Sequence, residues 1–292
     1  MNISWQTWLL AARPKTLPAA VIPVLLGTAL AAQAGGFRFL PALVCFVFAL
    51  LIQIGTNFAN DYFDFKKGAD TPDRIGPTRA VASGLIPAVV MLRATVLVLG
   101  VAFLVGLVLV FYGGVWLLLV GGLSILCALA YTGGPFPLGY NGLGDIFVFI
   151  FFGLVAVMFT YYVQAGTFTW ASFWVGVGCG LMSNNILVIN NARDIKTDRE
   201  AGKLTLPARF GLRFAVVQYG LSVLVACAVP DLLVNAGFSP WVFMALLVLP
   251  MGVILTLYLA NARTATHFDW LLMRTAQLLI AYGLLLSLGI VL

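Results

Sequence analysis

Nine apolar stretches, separated by shorter polar segments, run along the chain. Each is close to the length of about 20 residues that a helix needs to cross a hydrocarbon core about 30 Å thick. The stretches cover about 17–34, 40–59, 88–111, 114–132, 143–164, 170–190, 213–233, 240–260 and 270–291. The pattern predicts an all-α membrane protein with nine transmembrane helices.

The composition supports this prediction. Of the 292 residues, 62% are hydrophobic and 9% are charged, whereas a soluble globular domain carries about 25% charged residues. No stretch has the composition of a separate soluble domain. We therefore expect one integral membrane domain over residues 1–292.

The basic residues predict the orientation of the chain. Fifteen of the sixteen Lys and Arg residues fall on one side of the nine-span layout, and only Arg38 falls on the other. By the positive-inside rule, the N-terminus is cytoplasmic and the polar face looks into the cytoplasm. The expected location is the inner (plasma) membrane, as a multi-pass protein. The net charge of +6 then reflects orientation rather than nucleic-acid binding, because the chain has no basic stripe interleaved with aromatic residues.

The first apolar stretch has a second interpretation as a cleaved signal peptide. Arg13 and Lys15 precede it, and the sequence AQA at 32–34 resembles a cleavage site. Pro18 and Pro23 interrupt the stretch and its basic region starts late, which favours a membrane span instead.

Two long polar loops follow the second and sixth predicted spans. Each comes after the second helix of a four-helix set, which indicates two parallel halves, about 17–132 and 143–260, with a ninth helix at 270–291. The expected architecture is a ring of helices around a central cavity with one cytoplasmic mouth.

The acidic residues are concentrated at the ends of these two spans, in NFANDYFDFKKGAD (57–70) and NNARDIKTD (190–198). On a helix, Asn57, Asp61 and Asp64 lie on one face, and Asn190, Asp194 and Asp198 form a second stripe. Carboxylates are costly near a membrane interior and need a partner. Mg²⁺ is a suitable partner, because it prefers oxygen ligands and is commonly held by carboxylates together with substrate phosphates.

Basic residues accompany both acidic clusters. They are Lys67, Arg74 and Arg79 near the first, and Arg193 and Lys203 near the second. Side chains of this type bind phosphate oxygens, so the combined pattern predicts a site for a metal ion and a diphosphate. The alternative is that these charges are loop ends that pair with one another.

A third segment, YTGGPFPLGYNGLGD (131–145), joins the fourth and fifth spans. Its glycines and prolines allow tight turns near a ligand, and Tyr131 and Tyr140 could line the mouth. An ordinary interfacial loop with Tyr at headgroup depth is the other interpretation.

With these motifs in place, the chain resembles the UbiA-type intramembrane aromatic prenyltransferases. The resemblance extends over the whole chain and includes RPKTLPA (13–19), NDYFDFKKGAD (60–70), DRIGPTRAVASGLI (73–86) and NNARDIKTDREAGKLTLPARFG (190–211). In the wider family the first motif runs NDxxDxxxD. Here Gly68 stands where the third Asp would be and Asp70 follows two residues later, a departure typical of the branch that prenylates 1,4-dihydroxy-2-naphthoate.

The resemblance implies a site assignment, with Mg²⁺ as cofactor. The implied metal ligands, direct or through water, are Asn60, Asp61, Asp64, Asp194 and Asp198. The implied substrate-binding residues are Lys67, Arg74, Arg79, Arg193 and Lys203 for the diphosphate, Arg13 or Lys15 for the acceptor carboxylate and Tyr140 at the mouth. The alternative for Arg13 and Lys15 is that they anchor a helix end at lipid phosphates. Asp64, Asp194, Asp198 and Tyr131 are the expected catalytic residues, and Tyr131 would offer an aromatic face to a carbocation.

The implied reaction is Mg²⁺-dependent transfer of a polyprenyl or phytyl group from its diphosphate to 1,4-dihydroxy-2-naphthoate, with loss of CO₂, in menaquinone or phylloquinone biosynthesis. One alternative is the same transfer to another aromatic acceptor, such as 4-hydroxybenzoate. Alternatives from other classes are a secondary transporter and a CDP-alcohol phosphotransferase. Transporter carboxylates lie near the bilayer midplane, and of the DG and AR pairs expected in the phosphotransferase class only Ala192-Arg193 is present.

Overall fold

The computed structural model describes residues 3–70, 76 and 78–292, and the secondary structure of these residues is helical. We number the helices α1 (Trp5–Ala12), α2 (Pro18–Gln33), α3 (Phe39–Lys66), α4 (Ala88–Gly113), α5 (Leu117–Ala130), α6 (Gly144–Ala165), α7 (Trp170–Arg193), α8 (Ile195–Glu200), α9 (Leu206–Phe210), α10 (Leu212–Asn235), α11 (Pro240–Asn261) and α12 (Ala265–Val291).

Seven of these helices are long and apolar enough to cross a membrane within the described part of the chain, namely α3, α4, α6, α7, α10, α11 and α12. Two other predicted windows coincide with α2, which is bent by 54° against the helical segment before it, and with the shorter helix α5. The prediction of an all-α, multi-pass membrane protein is therefore confirmed. The bent pair, if counted as one span, raises the number of candidate spans to eight.

The linker before α2 begins at Arg13, and the 54° bend lies between Thr16 and Pro18. Arg13 has φ 52°, a left-handed conformation that, among the described residues, is otherwise adopted only by glycine. Helix α1 ends at this residue, and Pro18 begins α2 with its fixed φ. Arg13 and Thr16 in this linker lie on the wall of the cavity described below.

Helix α7 is the most buried of the candidate spans, with 72% of its apolar window inside the protein. Thr169 and Ser172 form a capping box at its start. Helix α6 crosses it at glycines: a Cβ on Gly153 would lie 2.5 Å from the carbonyl oxygen of Gly176 and 2.6 Å from the Cα of Gly180. These glycines let two backbones meet closely, as is common between membrane helices.

A cavity of about 270 Å³ lies between α3 and α7. Its wall is formed by the Arg13–Thr16 linker and by α2, α3, α4, α5, α6 and α7. Of the described residues, none from α10, α11 or α12 contributes to this wall, and these helices pack behind α7 and α2. The cavity brings the end of α3 and the end of α7 to a common mouth.

Candidate active site

Asp64 connects the end of α3 to two loops. The Tyr140 hydroxyl donates a 2.8 Å hydrogen bond to Oδ1 of Asp64, and Arg79 Nη2 donates to Oδ2 at 3.3 Å. Arg79 also donates from Nε to Asp70 Oδ1 at 3.2 Å. One guanidinium therefore bridges the second Asp of the motif and the displaced Asp70, whose role the sequence left open.

Asp61 has different partners, although it lies only three residues away on the same helix. Its Oδ2 accepts from the backbone N–H of Ala80 at 3.1 Å, and its Oδ1 accepts from that of Val81 at 3.4 Å. The side chain is buried, with 1% of the residue exposed. Asp61 therefore holds the backbone of the loop that carries Arg79. That Asp61 also binds the metal ion stays a prediction, and these two contacts do not support it.

Asn60 and Lys67 meet at Thr132, a residue that the sequence did not single out. The Thr132 hydroxyl donates to Asn60 Oδ1 at 2.9 Å, and Lys67 Nζ donates to the Thr132 carbonyl oxygen at 2.6 Å. Thr132 directly follows Tyr131, and its position in the 131–145 segment was the only signal of its role.

Tyr140 lies between two lysines. Lys67 Nζ is 4.6 Å from the centre of its ring and Lys203 Nζ is 5.4 Å away. Burial, and secondarily the Asp64 carboxylate, raises the pKa of the Tyr140 phenol, which therefore stays protonated and remains a donor to Asp64. The Tyr140 carbonyl also accepts from the Leu204 N–H at 2.8 Å, which ties the 131–145 segment to the loop after α8.

Asp194 and Asp198 stand on either side of the junction between α7 and α8. Arg193 holds Asp194 in a bidentate pair with two contacts of 2.8 Å, and the Arg193 side chain is only 2% exposed. Asp198 lies 3.8 Å from Lys203 Nζ and accepts from the Thr205 hydroxyl at 3.4 Å. Arg193, expected to contact the diphosphate, is thus directed at a neighbouring carboxylate.

The structure brings the two acidic clusters together. Burial is the main reason that the pKa of Asp198 rises to about 6, and the negative charges of Asp194 and Asp64 raise it further while Lys203 lowers it. Asp64 comes from the first cluster, so its effect on Asp198 reflects proximity across the mouth. Excess negative charge of this kind favours binding of a cation.

In the described residues, no three acidic or histidine side chains converge as a ready-made metal cluster. Each carboxylate instead has a hydrogen-bond donor or a basic group as its partner. The oxygens of Asn60, Asp64, Asp194 and Asp198 are of the hard type that Mg²⁺ prefers, and Mg²⁺ retains waters and uses few protein ligands. The set of donors therefore fits this metal.

Several predicted residues lie away from the carboxylates. Tyr131 is packed against Gly139 and Gly144 and lines the cavity below the mouth. Arg13 lines the same cavity, at the break before α2. The Asn57 side chain contacts the linker before α2 and not the partners of Asp61 and Asp64. Its amide donates to the Ala12 carbonyl oxygen and to the Thr16 hydroxyl. Arg74 lies outside the described residues.

The cavity changes character with depth. Near the mouth its wall includes Asn60, Tyr131 and Asn190, whereas its deeper part is mainly apolar and aromatic, with Phe103, Phe151 and Phe159 among its residues. Hydrocarbon can pack against this deeper part of the wall.

Asp145 is a further buried acid that the sequence did not place in a role. It accepts from Gln218 Nε2 at 2.6 Å and from Asn184 Nδ2 at 3.2 Å. These bonds join α6, α7 and α10 beside Tyr131. No motif or spacing signalled this arrangement, since the three residues are distant in sequence.

Comparison with known proteins places this arrangement in context. The model of the UbiA prenyltransferase family matches residues 20–287. The 1,4-dihydroxy-2-naphthoate octaprenyltransferase of Escherichia coli (strain K12) is 41% identical, over 98% of this chain and 95% of that protein. The protein of the same name from Bacillus subtilis (strain 168) is 31% identical, over 99% and 92%.

Solved structures show the same fold. A UbiA homologue from Archaeoglobus fulgidus bound to DMAPP and Mg²⁺ matches with a TM-score of 0.60 at 14% identity, over 96% of this chain and 99% of that one. A UbiA homologue from Aeropyrum pernix K1 in its apo form matches with a TM-score of 0.65 at 15% identity, over 92% and 96%.

Proposed function

Because the chain belongs to the UbiA prenyltransferase family, we propose that it transfers a polyprenyl group from its diphosphate to 1,4-dihydroxy-2-naphthoate in menaquinone biosynthesis. Diphosphate and CO₂ are released. The observation that carries this proposal is the joining of two acidic helix ends and three basic side chains, Lys67, Arg79 and Lys203, at the polar mouth of an apolar cavity.

Asn60, Asp64, Asp194 and Asp198 would hold Mg²⁺, directly or through water. When bound, the metal stabilises the negative charge that develops on the departing diphosphate. Lys67, Lys203 and Arg79 supply the positive charge that binds the diphosphate oxygens, and Arg74 remains a predicted contributor. Arg193 orients Asp194 rather than binding phosphate, and Asp61 positions the loop that carries Arg79.

The chain's own residues support the rest of the reaction. As the C–O bond to diphosphate breaks, the apolar wall excludes water from the allylic cation, and the ring of Tyr131 offers it an electron-rich face. A ring carbon of the acceptor forms the new C–C bond, and loss of the carboxyl group as CO₂ restores aromaticity. Arg13, which lines the cavity wall, would pair with that carboxylate before it leaves.

The finer topology is part of this proposal. It comprises nine spans in two parallel four-helix halves plus the last helix, with the N-terminus and the mouth of the cavity in the cytoplasm and the protein in the inner membrane surrounded by lipid. The charge distribution of the sequence supports this orientation. Cysteine accessibility at Arg38→Cys and Lys196→Cys would test it, since only the former should react from the outside of intact cells.

A direct assay tests the function. Purified protein in detergent is incubated with octaprenyl or geranylgeranyl diphosphate, Mg²⁺ and either 1,4-dihydroxy-2-naphthoate or 4-hydroxybenzoate, and products are identified by mass spectrometry. We expect a decarboxylated prenyl product from the naphthoate. Product from 4-hydroxybenzoate alone would overturn the assignment of the acceptor, and product from neither would overturn the function.

Site variants connect the activity to the carboxylates. Asp64→Ala and Asp194→Ala should each abolish turnover. Asp231→Ala is the matched control, because this exposed acid in α10 bonds only to Asn235 among the described residues and should leave turnover unchanged. Appreciable activity in either of the first two variants would remove that residue from the metal site.

A further inference from the structure

Two amide side chains are buried in the wall of the cavity, below the carboxylates. Gln53 and Asn57 lie one turn apart on α3, with exposures of 7% and 3%, and both line the cavity. A polar side chain at this depth in a membrane helix is costly unless its hydrogen-bonding groups are satisfied. An amide group that has no partner within the protein is therefore expected to bind a polar group of the ligand.

The nitrogens of both amides have partners in the linker before α2. Asn57 Nδ2 donates to the Ala12 carbonyl oxygen at 2.9 Å and lies 3.2 Å from Thr16 Oγ1. Gln53 Nε2 donates to the same Thr16 oxygen at 3.0 Å. The Thr16 hydroxyl in turn donates to the Arg13 carbonyl oxygen at 3.0 Å.

This network determines which way each amide faces. A carbonyl oxygen only accepts, so Asn57 must present its NH₂ group to Ala12. The single hydrogen of the Thr16 hydroxyl is used on Arg13, so its oxygen can only accept, and Gln53 must also present its NH₂ group. The amide oxygens of Gln53 and Asn57 therefore point away from the linker, and they accept no hydrogen bond from the described residues.

We propose that the side-chain oxygens of Gln53 and Asn57 accept hydrogen bonds from the two hydroxyl groups of the aromatic acceptor, and so select a dihydroxylated ring. This inference rests on the proposed function and names the side chains that recognise its acceptor. The two residues are separated by about 6 Å along the helix, comparable to the separation of two hydroxyl oxygens across a para-substituted ring. Asn57 lies about 10 Å along the helix from Asp64, which leaves room for the reacting carbon below the diphosphate.

The chemistry of an amide suits this position. An amide oxygen orients a phenol and accepts its hydrogen bond without taking the proton, so the oxygen atom donates more electron density to the ring carbon that attacks. A carboxylate at the same place would add charge to an apolar wall and repel the acceptor's own carboxylate. Arg13, whose backbone carbonyl closes the network, lies on the same wall.

The test compares acceptors that differ by one hydroxyl group. Wild type, Gln53→Leu and Asn57→Leu are assayed with 1,4-dihydroxy-2-naphthoate, and 1-hydroxy-2-naphthoate and 4-hydroxy-2-naphthoate are measured as substrates or as competitive inhibitors. For wild type we expect each missing hydroxyl to weaken binding or kcat/KM by a factor of about ten to a hundred, because it leaves a buried acceptor unsatisfied. Each Leu variant should lose this discrimination against one of the two analogues, and its KM for the prenyl diphosphate should be unchanged.

Thr56→Val is the matched control. Thr56 lies on the same helix and lines the same cavity, but its hydroxyl already donates to the Ile52 carbonyl oxygen at 2.7 Å. This variant should discriminate between the acceptors as wild type does. Asn57→Gln, which keeps both an NH₂ donor and an acceptor oxygen, provides a second variant if Asn57→Leu fails to fold, and it should retain the preference for the hydroxyl group.

The outcomes separate the two proposals. If wild type prenylates the naphthoate but the Leu variants discriminate between the analogues as strongly as wild type does, the recognition role is overturned and the amides serve only to fasten α3 to the linker. The same conclusion follows if the variants chiefly raise the KM for the prenyl diphosphate. If wild type makes no prenylated naphthol at all, the proposed function itself fails.

Discussion

Replacing Asp61 distinguishes a metal ligand from a residue that positions a loop. Its two oxygens accept from the N–H groups of Ala80 and Val81, which are 0% and 4% exposed. Asp61→Ala leaves both N–H groups buried without an acceptor, at a cost of about 1–3 kcal/mol each. The expected loss in the free energy of unfolding is therefore about 2–6 kcal/mol.

Asp61→Asn provides the graded comparison. It keeps one oxygen for one of the two N–H groups, so about half of the loss, about 1–3 kcal/mol, is expected. Its activity should fall only as far as the Arg79 loop is displaced, and its half-saturating Mg²⁺ concentration should stay near that of wild type. Asp64→Asn is the matched variant, three residues further along the same helix, and it should raise the Mg²⁺ requirement strongly.

The assays are thermal or denaturant unfolding in detergent and initial rates titrated with Mg²⁺. The reasoning would be refuted if Asp61→Ala unfolded like wild type. It would equally be refuted if Asp61→Asn raised the Mg²⁺ requirement as much as Asp64→Asn did, because Asp61 would then be a ligand as the family resemblance implied.

Three further predictions concern the mouth and the cavity. Tyr140→Phe removes the 2.8 Å hydrogen bond to Asp64 but keeps the ring between the two lysines. Its kcat/KM should fall about tenfold, and that of Tyr140→Leu should fall further. Equal losses in the two variants would contradict a role for the ring. Arg193→Met removes the bidentate partner of buried Asp194 and should lower the free energy of unfolding by about 3–5 kcal/mol. Arg193→Lys should lose less, and unchanged unfolding would show that the pair contributes nothing. Gly121 lines the cavity, and no atom lies within 4 Å of a Cβ added there. Gly121→Leu should therefore reduce kcat/KM for long prenyl donors about tenfold or more and leave kcat/KM for dimethylallyl diphosphate unchanged. Gly100→Leu, also in open space but off the cavity wall, is the control, and an equal loss for all donors would exclude a role of Gly121 in the choice of chain length.

Much of the helical framework was predictable because a membrane restricts the choices. Each spanning segment must satisfy its own backbone hydrogen bonds and must be long enough to cross. The window predicted at 170–190 thus corresponds to Trp170–Arg193, and that at 213–233 to Leu212–Asn235. The left-handed backbone at Arg13 was less predictable, because such a conformation at a non-glycine residue depends on what the chain packs against.

The candidate site was predictable as a group of residues but not as a set of contacts. Sequence spacing placed Asp61 and Asp64 on one helix face, yet one binds the backbone N–H groups of a loop and the other binds Tyr140 and Arg79. A difference of three residues rotates a side chain by about 60° around the helix, enough to reach different neighbours. Gln53 gave no signal in the sequence, and Thr132 gave only its position in the 131–145 segment, because the partners of both residues are distant along the chain.

By itself, the sequence determined that this is a helical membrane protein with acidic and basic residues gathered at two helix ends, since hydropathy, length and charge are properties of each segment alone. Only the tertiary structure decided which carboxylates face the mouth and which of them are held by loops or by Arg193. It also decided that two amide oxygens in the cavity wall accept no hydrogen bond from the described residues. Those outcomes depend on the few ångströms within which a donor and an acceptor must meet, and the packing of distant helices sets such distances.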